Sequence, residues 1–459
     1  MPSKYSPGSG AYNNDACMVL QALFQHSNPS AVNIDKIDSL AVQIYGARFA
    51  SANKTYLSRP KCKLQALANH RFRSLYPAVL VQIELTLFLL KFIAPCCTLN
   101  DPNLRKFYIV KMLDIYAGKS ALETIHKEGF SSDLFTSFLG ASGGPKWFSL
   151  FGLDKYLFGE FFSNRTEELH LVGSSAGAFR AACFAQNDPV AAISRLAKFY
   201  SETTYADNVT AHEISASAGE LLDRVFGDMG AQEVIDNPIF KAHFLVAKTN
   251  GFVGSQHKAL QIAGLVTSYA LNRVNRSLLT RQYERFIFHS PHSALLINDD
   301  SGFKTHRVAL TQDNIKAALL ASGSIPMVML GVKDIPGAPK GMYRDGGIID
   351  YHFDISLQNN PGLTLYPHFN AQPKAGWFDK NLARVIPPQN YAKTVMLVPS
   401  NKFIASLPFG KIPDRNDFTT MPAHERIKYW QTVLAQTEQL AEYFQHFLAK
   451  QDLGRINPL

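Results

Sequence analysis

The chain has 459 residues, of which 46% are hydrophobic and 18% charged, so it has enough apolar side chains for a large core and is not intrinsically disordered. Its net charge is +9, but it has no Lys/Arg-rich run of the kind that binds nucleic acid, so the surplus favours at most an anionic membrane surface. Five cysteines, an odd number that includes the adjacent pair Cys96-Cys97, argue against a disulfide framework. They predict a reducing, cytoplasmic compartment, with peripheral membrane attachment left open.

Residues 1–105 differ in composition from the rest and are predicted to be an N-terminal extension of unknown role. The first hundred residues contain ten Lys/Arg and only four Asp/Glu. The apolar stretch Leu75–Cys97 contains Glu84 and Lys91, which predicts a buried or amphipathic helix, with a membrane-associated segment as the alternative, and not a membrane-spanning helix. Two interpretations stay open: the extension regulates or targets the protein, or it lies upstream of a natural start at Met112.

Residues 106–360 alternate between helix and strand patterns and are predicted to form one domain. We expect a helix around Ala121–Ile125, a strand over Asp133–Leu139, and an all-round aromatic helix over Lys146–Phe162. The apolar segment Leu169–Val172 predicts the next strand. Later strands are predicted at Ala242–Ala247, Phe286–Phe288, Ser293–Ile297 and Thr394–Val398. This alternation predicts an α/β layered core, with a mostly parallel sheet flanked by helices.

Residues 361–459 are predicted to be a C-terminal region that ends in a long amphipathic helix. From Ile427 to Leu448, apolar residues recur at steps of three, four and seven, which places them on one helical face. Packing of this face on the core is the favoured interpretation, and membrane docking is the alternative.

The segment Gly173-Ser174-Ser175-Ala176-Gly177 follows the apolar strand Leu169–Val172 and precedes a helical pattern. A strand, a turn of small residues and a helix are the context that a G-x-S-x-G nucleophile elbow requires. The N-terminal amides of the following helix would face negative charge that forms near Ser175. The segment therefore predicts a serine acyl hydrolase with Ser175 as nucleophile.

A second glycine-rich segment, Gly140-Ala141-Ser142-Gly143-Gly144-Pro145-Lys146-Trp147, also follows a predicted strand. A phosphate-binding P-loop does not fit, because Pro145 stands where that motif needs glycine and Trp147 where it needs Ser or Thr. The amides of Gly143 and Gly144 are predicted to hold a tetrahedral oxyanion, with a plain glycine-rich turn as the alternative.

Two later segments complete a recognisable set: Ala321-Ser322-Gly323-Ser324-Ile325-Pro326 and Asp345-Gly346-Gly347. The order of a glycine-rich loop, G-x-S-x-G, A-S-x-x-x-P and D-G-G resembles the patatin-like phospholipase family over roughly residues 112–360. The resemblance implies a patatin-like hydrolase core in which Ser175 and Asp345 form a catalytic dyad without histidine. The family's oxyanion loop carries over at Gly143, Gly144 and Lys146, but Ser142 and Trp147 depart from its pattern.

The resemblance also implies a substrate class, a lipid fatty-acyl ester of the phospholipid or lysophospholipid type. No cofactor, no metal and no nucleic-acid partner are implied. The supporting glycines of the two motifs are Gly173, Gly177, Gly346 and Gly347. Lys146 and Arg180 are candidates for contact with lipid phosphate, or else surface or ion-paired residues.

Two other functions stay open. A catalytically silent lipid-binding or scaffold protein would keep the fold without the chemistry. A Ser–His–acid esterase or thioesterase would take its histidine from His368, His424 or His446 by chain order.

Asp350, His352 and Asp354 would share one face if their segment were a strand. A metal site is conceivable from these ligand types. A solvated strand face, or a hydrogen-bonded support beneath Asp345, is the favoured interpretation.

Overall fold

The computed structural model describes residues 111–459. The predictions for residues 1–105, including Leu75–Cys97, lie outside this range. Across residues 111–459, every helix falls short of the length and apolarity that crossing a membrane requires.

The described part of the chain forms a large mixed sheet and a small two-stranded one. The strands are β1 (Leu113–Ala117), β2 (Phe135–Gly140), β3 (Leu169–Ser174), β4 (Phe240–Thr249), β5 (Tyr283–His289), β6 (Leu296–Asn298), β7 (Thr305–Ala309), β8 (Val332–Lys333), β9 (Met342–Asp345), β10 (Ser356–Gln358), β11 (Leu363–Pro367), β12 (Thr394–Pro399) and β13 (Ile456–Pro458). The large sheet has the order β13-β1-β12-β11-β2-β3-β4-β5-β7, with β9 on β4 and β8 on β9. Its centre, β12 to β4, is parallel throughout.

Helices connect these strands. They are α1 (Lys119–Glu128), α2 (Phe151–Tyr156), α3 (Ala176–Phe184), α4 (Pro189–Glu202), α5 (Ala211–Phe226), α6 (Gly230–Asp236), α7 (Lys258–Val274), α8 (Ile315–Ser322), α9 (Asn401–Ser406), α10 (Asp417–Thr420), α11 (Ala423–Gln436) and α12 (Glu438–Lys450). The predicted α/β core, a mostly parallel sheet flanked by helices, is confirmed, and helices are present at the C-terminus.

The aromatic segment Lys146–Phe162 is buried as predicted but is not one uniform helix. It begins as a 3₁₀ turn at Gly144–Leu150, continues as α2, and ends in a π turn at Leu157–Phe161. Tight 3₁₀ turns are common where a helix begins. The rings fill the space between layers, and Phe158 stacks on Phe184 of α3 with ring centroids 3.8 Å apart.

The single long C-terminal helix is a wrong prediction, because α11 and α12 are separate helices that meet at Thr437. The Thr437 hydroxyl bonds the carbonyl of Leu434 at 2.6 Å and accepts the amide of Gly152 from α2 at 2.8 Å. A Cβ at Gly152 would lie 2.5 Å from the Thr437 backbone, so α2 approaches the junction very closely. The apolar face packs on the core, since Trp430, Phe444 and Phe447 are buried.

Two strands meet end to end along one edge of β4, and this meeting positions the site. Strand β3 ends with Ser174 opposite Leu245, and the antiparallel β9 ends with Asp345 opposite Val246. Leu245 and Val246 are adjacent in β4, so the ends of β3 and β9 that pair with them lie next to each other. The residue after β3, Ser175, therefore lies beside Asp345.

Candidate active site

Ser175 lies at the sharp turn between β3 and α3. Its backbone has φ 52° and ψ −125°, a conformation that costs a non-glycine residue about 1–3 kcal/mol. The flanking glycines allow the turn, because a Cβ at Gly177 would lie 1.7 Å from the carbonyl oxygen of Gly140 and one at Gly173 would lie 2.3 Å from that of Gly177. The local geometry is therefore that of a nucleophile elbow.

The Ser175 hydroxyl donates a hydrogen bond to Oδ2 of Asp345 at 2.8 Å. The other carboxylate oxygen, Oδ1, accepts the amide of Gly347 at 2.7 Å, so the carboxylate is held in one orientation. Asp345 is only 6% exposed. Burial raises its pKa to about 6, although the bonds from Ser175 and Gly347 act in the opposite direction. A carboxylate with this pKa is a stronger base than one in water and remains ionised at neutral pH.

The last residue of α8 and the segment that follows it fix the nucleophile and the carboxylate relative to each other. The Ser322 hydroxyl accepts the amide of Ser175 at 3.0 Å and donates to the carbonyl of Leu245 at 2.7 Å. Two residues later, the carbonyl of Ser324 accepts the amide of Asp345 at 3.1 Å. Ser322 thus holds the elbow against β4.

The glycine-rich loop after β2 lies on the other side of Ser175. Within residues 111–459, the amides of Gly143 and Gly144 donate to no protein acceptor, so both are free for a ligand. Gly144 has φ 57°, which favours glycine, and a Cβ at Gly143 would lie 2.7 Å from the Phe369 ring. The loop is tied to the elbow by Ser142, whose hydroxyl bonds the Ser174 hydroxyl at 3.0 Å.

A cavity of about 230 Å³ opens above these groups. It is lined by Ser175, Asp345, Gly143 and Gly144 together with residues from four later segments: Ile325, Pro326, Gly347, Ile348, Tyr351, Trp377, Lys380, Asp414, Arg415 and Asn416. The volume is small beside ligand pockets of roughly 300–1,000 Å³, so it suits a reacting ester and a compact polar group.

Three cations, Lys146, Lys380 and Arg415, line the cavity. Lys146 pairs with Asp414 at 3.3 Å. Among the described residues, no carboxylate is in salt-bridge contact with Lys380 or Arg415. Burial together with the charges of Arg415 and Lys146 lowers the pKa of Lys380 to about 8. Such an electropositive cavity favours an anionic ligand.

Residues 169–353 match the family model of the patatin-like phospholipases. This part of the chain is similar to a patatin-like phospholipase domain. The match contains the elbow, the Ser322 segment and Asp345-Gly346-Gly347, so the predicted family resemblance is confirmed. It supports a lipid acyl hydrolase at the level of the family. A search of curated proteins finds no match to the chain.

The sequence leaves both lipid phosphate contact and an ion pair open for Arg180, and the structure shows the ion pair. The Arg180 side chain is 1% exposed and binds Asp154 through two hydrogen bonds of 2.6 and 2.8 Å. It joins α3 to α2 beneath the elbow and does not line the cavity. Trp147 is likewise buried and packs on Phe148, whereas Lys146 does line the cavity.

The histidines of the alternative triad lie elsewhere in the domain and its C-terminal region. His368 is buried, is bonded through Nδ1 to the backbone of Asn370, and has a pKa that burial lowers to about 3. His424 and His446 are exposed on the C-terminal helices. The hydrogen-bond partner of the Ser175 hydroxyl is Asp345.

The segment with Asp350, His352 and Asp354 is a loop, so the prediction of a shared strand face is wrong. Asp350 pairs with the buried Arg285 at 2.7 Å, His352 accepts the amide of Lys374, and Asp354 accepts from Asn390. Each side chain therefore has its own structural partner.

Sequence reasoning missed Lys380, Arg415 and the role of Ser322. Ser322 stands in a motif that was recognised without a function for its hydroxyl. Lys380 and Arg415 come from loops beyond residue 353, where the chain has no motif. Only the folded structure shows that these two residues belong to the site, because tertiary contacts bring their loops to the cavity.

Proposed function

We propose that the chain hydrolyses fatty-acyl esters of phospholipids or lysophospholipids through an acyl-enzyme on Ser175, with Asp345 as the base. The single observation that carries the proposal is the 2.8 Å hydrogen bond between the Ser175 hydroxyl and a buried carboxylate whose pKa is raised to about 6. Nucleophile and base are in hydrogen-bond contact and oriented by a third group, the Gly347 amide.

In the first half of the reaction, Asp345 accepts the hydroxyl proton while Ser175 Oγ attacks the ester carbonyl. The tetrahedral oxyanion accepts hydrogen bonds from the amides of Gly143 and Gly144, each worth about 3 kcal/mol in a site of this type. When the C–O bond breaks, protonated Asp345 gives its proton to the leaving alcohol oxygen, and the acyl group stays on Ser175.

In the second half, a water molecule takes the place of the alcohol. Asp345 removes one of its protons, the hydroxyl oxygen attacks the acyl carbonyl, and Ser175 leaves with the proton that Asp345 returns. The free fatty acid is the product. Each proton moves between Asp345 and an atom bonded to the reacting carbon, so one carboxylate serves both steps.

The cations of the cavity favour a phosphate-bearing lipid as the substrate. Lys380 and Arg415 have no carboxylate partner among the described residues, and both line the same cavity as Ser175. A phosphate close to the scissile ester would neutralise them, and arginine binds phosphate through paired hydrogen bonds. A short distance between ester and phosphate is characteristic of phospholipids and lysophospholipids.

Fatty-acid release from a panel of phospholipids, lysophospholipids and neutral monoacyl esters tests the proposal. Ser175→Ala and Asp345→Asn should each lower kcat/KM on the order of 1,000-fold. Asp354→Asn is the matched control, because that carboxyl is half-buried and bonds Asn390 outside the cavity. Full activity in Asp345→Asn contradicts the dyad, and a folded parent that releases no acid from any ester contradicts the hydrolase.

A further inference from the structure

Helix α7 (Lys258–Val274) buries polar or small residues on its inner face and exposes several large apolar side chains on its outer face. On its inner face Gln261, Gly264, Ser268 and Asn272 are buried. Its outer apolar residues, which we call the α7 face, are between 43% and 80% exposed: Leu260, Ile262, Val266, Tyr269 and Val274. An amphipathic helix on a globular core shows the reverse arrangement.

Hydrogen bonds fix this orientation. Gln261 accepts the amide of Met327 at 2.9 Å and donates to the carbonyl of Ser255 at 3.0 Å. Ser268 bonds the hydroxyl of Tyr283 at 2.8 Å, and Asn272 donates to Asp379 at 2.8 Å. Rotating α7 to bury its apolar side would leave these buried polar groups without partners.

The backbone of α7 is also held close to the protein at its middle. A Cβ at Gly264 would lie 2.5 Å from the amide nitrogen of Val253, so only glycine permits this approach. Phe252, next to that contact, is 61% exposed and extends the apolar surface beyond the helix. The outward apolar surface is therefore a built feature of the fold.

The segment of sequence that contains α7 has charged residues of one sign only. From residue 237 to residue 283 the chain has no Asp or Glu, while it has six Lys/Arg. Two of these, Lys258 and Arg273, are exposed residues of α7 itself. Aliphatic side chains combined with cations and no acids are the composition of helices that lie in the surface of an anionic bilayer.

Helix α7 is bonded through its inner side to two segments that line the cavity. Met327, which donates to Gln261, directly follows the cavity residue Pro326. Asp379, which accepts from Asn272, directly precedes the cavity residue Lys380. Helix α7 therefore packs beside two segments that line the cavity of Ser175.

We propose that the α7 face, with Phe252, is a membrane-docking surface that lies in the interface of an anionic phospholipid bilayer. The helix is about 25 Å long and would lie parallel to the membrane plane, with Lys258 and Arg273 among the lipid phosphates. The choice of lipid as the occupant rests on the proposed function, but docking itself requires no catalysis.

Vesicle binding by the full-length chain tests docking separately from hydrolysis. We would use Ser175→Ala, which leaves the lipid intact, and measure co-sedimentation with phosphatidylcholine vesicles with and without phosphatidylglycerol. Binding should require the anionic lipid and weaken with salt. Val266→Ser should weaken it about tenfold, and the combined variant Ile262→Ser, Val266→Ser, Tyr269→Ser on the order of 100-fold or more.

The matched control is Met229→Ser, since Met229 is 60% exposed but lies between α5 and α6. It should leave vesicle binding unchanged. The substituted α7 side chains are exposed, so the unfolding temperature of Val266→Ser and of the triple variant should equal that of the parent. Absence of binding by the parent, or undiminished binding by the triple variant, overturns the proposal. A parent that is dimeric, becomes monomeric in the triple variant and ignores vesicles would also overturn it, because the α7 face would then contact a second copy.

Rates on two kinds of substrate separate this proposal from the proposed function. With Ser175 intact, the triple variant should lose activity on vesicle lipid but keep the parent's rate on a monomeric short-chain ester. If the parent hydrolyses nothing yet its binding depends on the α7 face, docking stands and the hydrolase fails. Equal loss on both substrates contradicts docking as the role of the α7 face.

Discussion

Replacing Asp345 by asparagine should stabilise the folded chain at neutral and alkaline pH while it abolishes hydrolysis. The Asp345 carboxyl has a folded-state pKa of about 6 against 3.8 for an unperturbed group. This difference corresponds to about 3 kcal/mol of unfavourable burial of the ionised form. Asparagine keeps the shape, can accept the Gly347 amide, and carries no charge to bury.

The sign of the pH dependence follows from the raised pKa. The parent has its full stability from this group well below pH 3.8, where both states are protonated, and loses it as the pH rises from there through 6. The advantage of Asp345→Asn should therefore grow between pH 4 and pH 7 and stay constant above that range. Urea unfolding at pH 4 and pH 8 should give a change in ΔΔG of about 2 kcal/mol.

Asp414→Asn is the control for that measurement, because its effect should have the opposite sign. Burial alone would raise the pKa of Asp414, but the amide of Asn416 and the ammonium of Lys146 hold it below its usual value. This variant should lose stability at neutral pH and approach the parent as the pH falls. A ΔΔG for Asp345→Asn that is the same at pH 4 and pH 8 would refute the reasoning.

Three further predictions concern the cavity and its support. The kcat/KM for a lysophospholipid should rise with pH through an apparent pKa near 6, because the base must be ionised; a pH–rate profile that is flat from pH 5 to pH 8 excludes this assignment. Lys380→Gln and Arg415→Gln should each raise KM about tenfold for a phosphate-bearing lipid and leave KM for a neutral ester unchanged. Initial rates measured over a range of concentrations of each substrate give the two KM values. An equal change in both KM values argues against phosphate recognition. Arg180→Met should lower the free energy of unfolding by about 3–5 kcal/mol because it leaves Asp154 as an unpaired buried charge, whereas adding Asp154→Leu should recover much of the loss in urea unfolding; no recovery would mean that the arginine stabilises through packing.

The sequence allowed the core and the elbow to be predicted because both depend on local patterns. Small residues around Ser175 reflect the close approach of Gly177 to Gly140, and such constraints leave a readable motif. The partnership of Ser175 with Asp345 joins residues 170 apart in the chain, and it could be inferred only through the family resemblance.

Other features depend on tertiary contacts and left no local signal. The sequence leaves lipid contact and an ion pair open for Arg180, because only the folded chain brings Asp154 of a neighbouring helix to it in the core. The apolar residues of α7 would be assigned to the core by periodicity alone. The hydrogen bonds of Gln261 and Asn272, with partners distant in the chain, determine that the apolar side faces outward.

Covalent labelling of Ser175 by a fluorophosphonate tests the central claim most directly. Mass spectrometry of the labelled chain should find one adduct, on the peptide that contains Ser175, and the labelling rate should fall strongly in Asp345→Asn but not in Asp354→Asn. An unlabelled Ser175 in the folded parent, or equal labelling rates in the parent and Asp345→Asn, would contradict the proposal that Asp345 activates Ser175 as the nucleophile.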